Sequence, residues 1–453
     1  MERTLIQDLQ THIGKEVSIS GWIDVRRDHG KLIFLVIRDR SGSVQSVVLP
    51  THPEALAVAQ KLRPEWVITL VGTVNTRPGK MVNPAEENGS IEIEVSSIVV
   101  LSAAEELPFG SDADLNLDTL LDYRPLTLRR ARERAIFAVQ HHIIRAYRAF
   151  LTEEGFIEFQ APKLVGDDAE GGGNVFTVSY FNDIPAYLAT SPQLYKQIMV
   201  GVFERVFTTG NVFRAEKHST TRHVNEYTSI DIELGFITDH TDIMKLETAL
   251  MRYIRAELET QCAEEFALLG AQLPLMPDGA DCFPHMKLRE AQRLIRDKTG
   301  ADKTQEPDLE PEDERWLCEY AREELGSDFI FITHYPVSKR PFYTREDEAD
   351  PGYTKSFDLL FRGIEITTGG QRVHTAEIML QKLKDKNLNP EHFAFYLQAF
   401  RYGMPPHGGW GMGLERLTMK MLQMNNVKEA TLFPRDINRI DTLLSNNHEH
   451  NTD

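Results

Sequence analysis

At 453 residues the chain exceeds what one ordinary hydrophobic core organises, so two or three folding units are expected. Its 41% hydrophobic and 26% charged content is that of a folded globular protein and excludes a disordered or fibrous chain. A formal charge of −18 excludes a general nucleic-acid coat, whose affinity comes from cations on phosphates, but leaves room for a local basic surface. The three cysteines, Cys262, Cys282 and Cys318, lack the spacing of a disulfide framework or a zinc site and point to a reducing, cytoplasmic setting. No apolar run is long enough to span a bilayer, so no membrane partner is expected.

Residues 17–50 read as three strands, VSISGWIDV, LIFLVIRD and SVQSVVLP, separated by polar or glycine-containing turns. A helix, EALAVAQKL, precedes two more strands, WVITLVGTV and SIEIEVSSIVVL. Five strands with one helix between the third and fourth fit an OB-fold β-barrel over residues 1–104. Residues 105–128 lose periodicity and gain proline, glycine and acids, which predicts an interdomain linker. From Arg129 a long helical run, ARERAIFAVQHHIIRAYRAFLTEEGF, leads into strands and helices without regular βαβ alternation. That order predicts an α+β domain on a largely antiparallel sheet over residues 129–440. Helical stretches such as LREAQRLIRD and EDERWLCEYAREEL predict a helical insertion around 255–345, and residues 441–453 read as a polar tail. The acidic residues 306–324 read as a solvated face that aids solubility.

Residues 211–236, NVFRAEKHSTTRHVNEYTSIDIELGF, read as a hairpin with a charged loop. Arg214 can donate a forked pair of hydrogen bonds to phosphate, while Glu216 and Tyr227 could hold and stack a purine, a combination that suits ATP. The same residues would also suit a surface hairpin held by salt bridges. In GWGMGLERLTMKML, glycines that allow close backbone approach precede a helix carrying Glu415 and Arg416, and Arg416 can meet an anion; glycine there also suits simple turn geometry. In SFDLLFRGIEITTGGQRVH, Asp358 and Glu365 converge if the run forms two strands, either to hold magnesium or to pair with an arginine such as Arg362. No Walker-type phosphate loop or dinucleotide glycine fingerprint is present, so ATP would need another fold.

FRAE with its charged loop and GMGLER resemble motifs 2 and 3 of the class II aminoacyl-tRNA synthetases, and the long helix ending in FIEFQAPKLV resembles motif 1. The likeness runs from GWIDVRRD to LFPRD and is strongest to the aspartyl group of the archaeal and eukaryotic type. It implies ATP and L-aspartate as substrates, with tRNA(Asp), alone or together with tRNA(Asn), as acceptor. By the same resemblance Arg214 would contact the α-phosphate, Glu216 the adenine amino group, His223 and Arg416 the γ-phosphate, and Tyr227 would stack on adenine. Asp358 and Glu365 would serve Mg2+. Pro162 resembles the motif 1 proline of a homodimer interface.

A forked arginine aided by a lysine suits the aspartate side chain, and Arg372 in TTGGQR with Lys196 in TSPQLYKQ match that pattern. Lys196 separates the aspartyl pattern from the asparaginyl one, the alternative reading. Glu170 in DAEGGGNVF, with Gln193 and Asp231, would attend the substrate ammonium. Thr368 stands where the family more often has serine and Gly370 where it often has alanine, so one added and one missing methyl could compensate. In the barrel, Phe34 would stack on the middle anticodon base and Gln45 read its edge, with Arg26 and Glu92 nearby. Read as a strand residue alone, Phe34 belongs in the core. Asp24 and the loop RPGKMVNPAEENG leave strict and relaxed tRNA choice both open. A paralogue that only binds RNA or protein is a further alternative, which the full set of charged motif residues disfavours.

Overall fold

The computed structural model describes residues 2–84, 86, 88–110, 113–166, 174–217 and 220–441. It divides into two compact units between Asp114 and Leu115. Glu170 and tail residues 442–453 lie outside the described residues.

In the first unit, β1 (Glu16–Asp28), β2 (Ile33–Asp39), β3 (Gly42–Val48), α1 (Pro53–Ala59), β4 (Val67–Thr76) and β5 (Ile91–Ser102) close a barrel in the order β1-β2-β3-β5-β4. Strand alternation builds it: Ile33, Leu35 and Ile37 join Val17, Ile19, Leu70 and Ile93 inside, while Phe34 and Val36 stay half-exposed on the outer face. Phe34 is therefore not a core residue.

The second unit is an α+β domain. Its elements are α2 (Ala131–Glu153), β6 (Ile157–Glu158), α3 (Gln193–Phe203), β7 (Arg205–Phe213), β8 (Glu226–Gly235), α4 (His240–Gln261), β9 (His285–Lys287), α5 (Leu288–Thr299), α6 (Pro311–Leu325), β10 (Phe329–Thr333), β11 (Ser356–Phe361), β12 (Ile364–Gln371), α7 (Ala376–Asp385), α8 (Ala394–Arg401), β13 (His407–Gly413) and α9 (Leu414–Met421). The sheet order is β9-β10-β11-β12-β13-β8-β7-β6, antiparallel through its centre and parallel only at the two edge pairs. One face carries Ile230, Ile232, Phe357, Leu359, Trp410 and Met412 into a core with α2 and α4. The opposite face carries the polar residues of the site.

Two segment assignments and one surface reading differ from the sequence reading. The second half of the predicted linker is helical, at Leu117–Asp122 and Arg124–Thr127. It is anchored by Arg124, which is 2% exposed and donates to the carbonyls of Leu432, Thr431 and Glu429. The predicted helical insertion also supplies β9 and β10, because the buried run Phe329–Thr333 pairs with β11 and extends the main sheet. Nor is the acidic stretch simply a solvated face. Asp313 accepts from the Glu310 N–H at the start of α6, and buried Glu314 takes two hydrogen bonds from Arg222 at 3.0 and 2.8 Å.

α4 buries Glu247 completely beneath the sheet. Burial pushes its carboxyl up to about 8, with Asp358 adding to the effect. The folded state thus keeps a proton that the unfolded chain releases near the ordinary 4.5, so stability falls as pH rises from 4.5 through 8. Glu247→Gln removes this ionisation and is expected to raise the Tm by roughly 3–8 °C at pH 8 but hardly at pH 5. Thermal melts at both pH values check this; equal shifts at the two would contradict it.

Candidate active site

The polar face of the sheet forms the floor of a cavity of about 350 Å3. β8 shows how the sequence builds it: Ile230, Ile232 and Leu234 face the core, so Tyr227, Ser229, Asp231 and Glu233 alternate onto the cavity face. β13 lies beside it with Gly409, Gly411 and Gly413 opposite Glu233, Asp231 and Ser229, while Trp410 and Met412 face the core. A Cβ at Gly409 would stand 2.0 Å from the Ile232 carbonyl oxygen and 2.5 Å from Glu233 Oε2. The glycines before α9 are thus strand residues that keep the floor low.

At one end the cavity is lined by Arg214, Glu216, Arg222, His223, Tyr227, Glu365 and Arg416. Arg214 leaves the end of β7 with its guanidinium over the Tyr227 ring, 5.6 Å from the centroid. Arg416, early in α9, donates to the Arg222 carbonyl at 3.1 Å, which ties that helix to the loop between β7 and β8. Thr220 Oγ1 lies 2.6 Å from His223 Nδ1. Glu415 accepts from the Thr228 N–H, and burial pushes its carboxyl up to about 7.

Asp358 and Glu365 share the cavity face of the β11–β12 hairpin, and a bulge between Leu359 and Leu360 sets Thr368 opposite Asp358. Thr368 donates to Glu365 at 2.7 Å. Glu365 lines the cavity and Asp358 does not. Asp358 is paired with Arg340 at 2.7 Å, whereas Arg362 holds Asp328 at 3.0 Å. Burial raises the Asp358 carboxyl to about 6, with Arg340 opposing and Glu365 reinforcing. Asp358 Oδ1 has no hydrogen-bond partner among the described residues, and no group of three acid, His or Cys ligands occurs among them. Two carboxylates with one uncommitted oxygen fit a hard cation that takes its other ligands from phosphate and water.

At the other end, α3 turns Gln193, Lys196 and Gln197 inward at i, i+3 and i+4. Lys196 is 1% exposed; its Nζ lies 2.8 Å from Asp231 Oδ2, 2.8 Å from the Trp410 carbonyl and 3.5 Å from Glu233 Oε2. Arg372, also buried, donates to Glu233 at 3.0 Å and to the Gly409 carbonyl at 2.9 Å. Two cations and two anions therefore interlock under the cavity, which Gln193, Asp231, Thr368 and Arg372 line and Lys196 supports from behind. A Cβ at Gly370 would stand 2.7 Å from the Lys355 carbonyl oxygen and 2.7 Å from Ser356 Cα. The missing methyl thus answers to that close backbone rather than compensating for Thr368.

Sequence reasoning missed Glu233 and Arg340. Glu233 was legible as the next inward position after Asp231 in a period-2 strand. Arg340 comes from an irregular loop, and only the fold brings it to Asp358.

On the barrel, Gln45 donates to Glu92 at 3.1 Å, and half-exposed Phe34 packs edge-on to His29 at 5.5 Å. Arg26 pairs with Leu35 and donates to the Ala59 carbonyl at 2.9 Å, so it does not join that face; Arg27 stands opposite Phe34 instead. Pro162 is exposed, next to exposed Leu164.

Residues 116–437 match the family model for tRNA synthetases class II (D, K and N), and residues 17–101 match that for the OB-fold nucleic acid binding domain. An aspartate–tRNA(Asp/Asn) ligase of Thermus thermophilus is 45% identical, covering 97% of this chain and 99% of its own. An aspartate–tRNA(Asp) ligase of Pyrococcus abyssi is 40% identical, with 94% and 96% covered. Among solved structures, the asparaginyl-tRNA synthetase of Pyrococcus horikoshii with asparaginyl-adenylate superposes with a TM-score of 0.89 at 31% identity, covering 97% of this chain and 100% of that one. A putative aspartyl-tRNA synthetase from Leishmania major gives 0.88 at 29% identity, with 97% and 94% covered.

Proposed function

From the premise that this chain belongs to the class II tRNA synthetases (D, K and N), we propose that it is an aspartate–tRNA ligase that activates L-aspartate with ATP and transfers it to tRNA(Asp), and also to tRNA(Asn). The observation that carries the choice of aspartate is Lys196 locked between Asp231 and Glu233 beside Arg372. A side-chain carboxylate entering there is acceptor-only and meets the forked guanidinium of Arg372 backed by the Lys196 ammonium, whereas an asparagine amide would set its own NH2 donor against theirs.

In the first step an oxygen of the substrate α-carboxylate attacks the α-phosphorus, the bond to the bridging oxygen breaks, and pyrophosphate leaves. In the second a terminal ribose hydroxyl of tRNA attacks the carbonyl carbon of the adenylate and AMP leaves. No protein nucleophile is required, so positioning and charge supply the catalysis. Arg214 would fork onto the α-phosphate, Tyr227 stack on adenine and Glu216 accept from its amino group, while His223 and Arg416 would hold the γ-phosphate. Glu365 with Asp358 would hold Mg2+, which neutralises phosphate charge when bound. Gln193 and Asp231 would receive the substrate ammonium, with Thr368 beside Glu365; Glu170, outside the described residues, would close over it.

Exposed Pro162, Ile157 and Leu164 near the β6 sheet edge support a homodimer through that edge. No helix of the described residues is long and apolar enough to cross a membrane. Three free thiols suit the cytoplasm, where we place the enzyme.

Aminoacylation of purified tRNA(Asp) and tRNA(Asn) with aspartate, side by side, tests the assignment. Charging of both supports it, charging of tRNA(Asp) alone narrows it, and charging with asparagine instead would overturn it. Phe34→Ala is expected to raise KM for tRNA about 10- to 100-fold through lost stacking while leaving pyrophosphate exchange unchanged. An unchanged tRNA KM would remove Phe34 from the anticodon site.

A further inference from the structure

The Gln193 side chain stands at the end of a hydrogen-bond chain in which every donor is dictated by the next group. His407, 0% exposed in β13, has its Nδ1 2.8 Å from the Pro405 carbonyl oxygen. A carbonyl can only accept, so Nδ1 carries a proton. Burial drives the ring pKa down to about 4, with Glu233 and a hydrogen bond to Pro405 opposing and Arg372 and His374 reinforcing. The ring is neutral at physiological pH and its Nε2 is a lone pair. Gln197 Nε2 lies 2.9 Å from that Nε2 and must donate to it. Gln197, also 0% exposed, therefore turns its Oε1 the other way, where it accepts from the Tyr396 hydroxyl at 3.0 Å and from Gln193 Nε2 at 2.9 Å. With its nitrogen held on Gln197 by one N–H, the Gln193 amide is oriented so that its carbonyl oxygen faces the cavity it lines.

We propose that Gln197, Tyr396 and His407 are positioning residues that fix the Gln193 amide so that the amino-acid site offers an acceptor to the α-ammonium and discriminates against acids lacking it. This rests on the reading of the cavity as an aspartate site. None of the three lines the cavity, so their effect passes through Gln193. A freely rotating Gln193 would spend part of its time showing an NH2 group to the ammonium, donor against donor.

Gln197→Met keeps the stem volume but removes both hydrogen-bonding ends. In aspartate-dependent pyrophosphate exchange it is expected to raise KM for aspartate about tenfold with KM for ATP unchanged. Inhibition by succinate, which is aspartate without the ammonium, should keep its wild-type constant. Gln197→Glu retains the oxygen that Gln193 needs, and its carboxylate holds His407 protonated at Nε2. It should show near wild-type KM at pH 6 and a KM that climbs as His407 loses that proton with rising pH, a slope absent from the wild type. Wild-type protein without aspartate-dependent exchange would sink the underlying aspartate assignment. Active wild type with an unchanged KM in Gln197→Met, or equal weakening of aspartate and succinate, would overturn the relay alone. Should Gln197→Met fail to fold, Tyr396→Phe and Gln197→Glu carry the same readouts.

Discussion

Lys196→Leu is expected to lower aspartate-dependent pyrophosphate exchange by roughly 10^2- to 10^3-fold, because truncating one member of a buried ion cluster costs about 3–5 kcal/mol. Its ammonium lies 2.8 Å from Asp231 and is the second cation on Glu233, at 3.5 Å. Leucine fills much of the stem volume but leaves these carboxylates under a site that must accept a third. Arg372 then remains from the interlocked pair of cations, already engaged with Glu233. The loss should fall on kcat/KM for aspartate, with ATP affinity retained because the phosphate end is built from β7, β8 and α9. Lys196→Arg should recover part of it by restoring charge without the compact geometry. Exchange kinetics with a thermal melt on each variant decide the matter. Normal exchange in a folded Lys196→Leu protein would end the aspartate assignment.

Arg214→Ala is expected to lower kcat for adenylate formation by about 10^2- to 10^3-fold, the scale associated with removing one donor aimed at developing negative charge. Arg214 is held at the end of β7 by its backbone N–H on the Asn225 carbonyl at 2.8 Å and by its guanidinium over Tyr227. It lines the cavity at the end that also holds Arg416. Alanine leaves the backbone pairing of β7 with β8 untouched, so the defect should be catalytic rather than structural. Arg214→Lys should restore charge but not the fork and recover little. Single-turnover measurement of pyrophosphate release separates the chemical step from binding. A variant that loses only ATP affinity, at full kcat, would move Arg214 from the α-phosphate to a binding role.

Much of the molecule was legible because short-range periodicity dictates it. Alternation in LIFLVIRD announced a barrel strand, but the strand reading by itself put Phe34 in the core, and the fold sets Leu35 inside and Phe34 outside. Asp231 entered the site by resemblance, whereas strand alternation in SIDIELGF also puts Glu233 on the same face, two residues further on. The glycines of GWGMG suited close backbone approach or a turn, and the adjacent strand that decides for close approach is contributed from elsewhere in the chain. Arg26 was placed with Phe34 by resemblance, whereas the observed register gives that position to Arg27.

The sequence by itself determined the OB barrel, the antiparallel catalytic domain, the ordered motifs and the family, since each depends on local pattern or on residues close together in the chain. Tertiary structure alone decided which charges answer one another. It paired Asp358 with Arg340 and not Arg362, joined Glu314 of an acidic run to Arg222, and set Lys196 between two acids on β8. It also linked Gln193 to His407, more than two hundred residues away, through Gln197. The physical reason is that a charged or amide group is specified by its partner. In a sheet whose neighbouring strands come from distant segments, partners are set by sheet order and register, to which local pattern is blind.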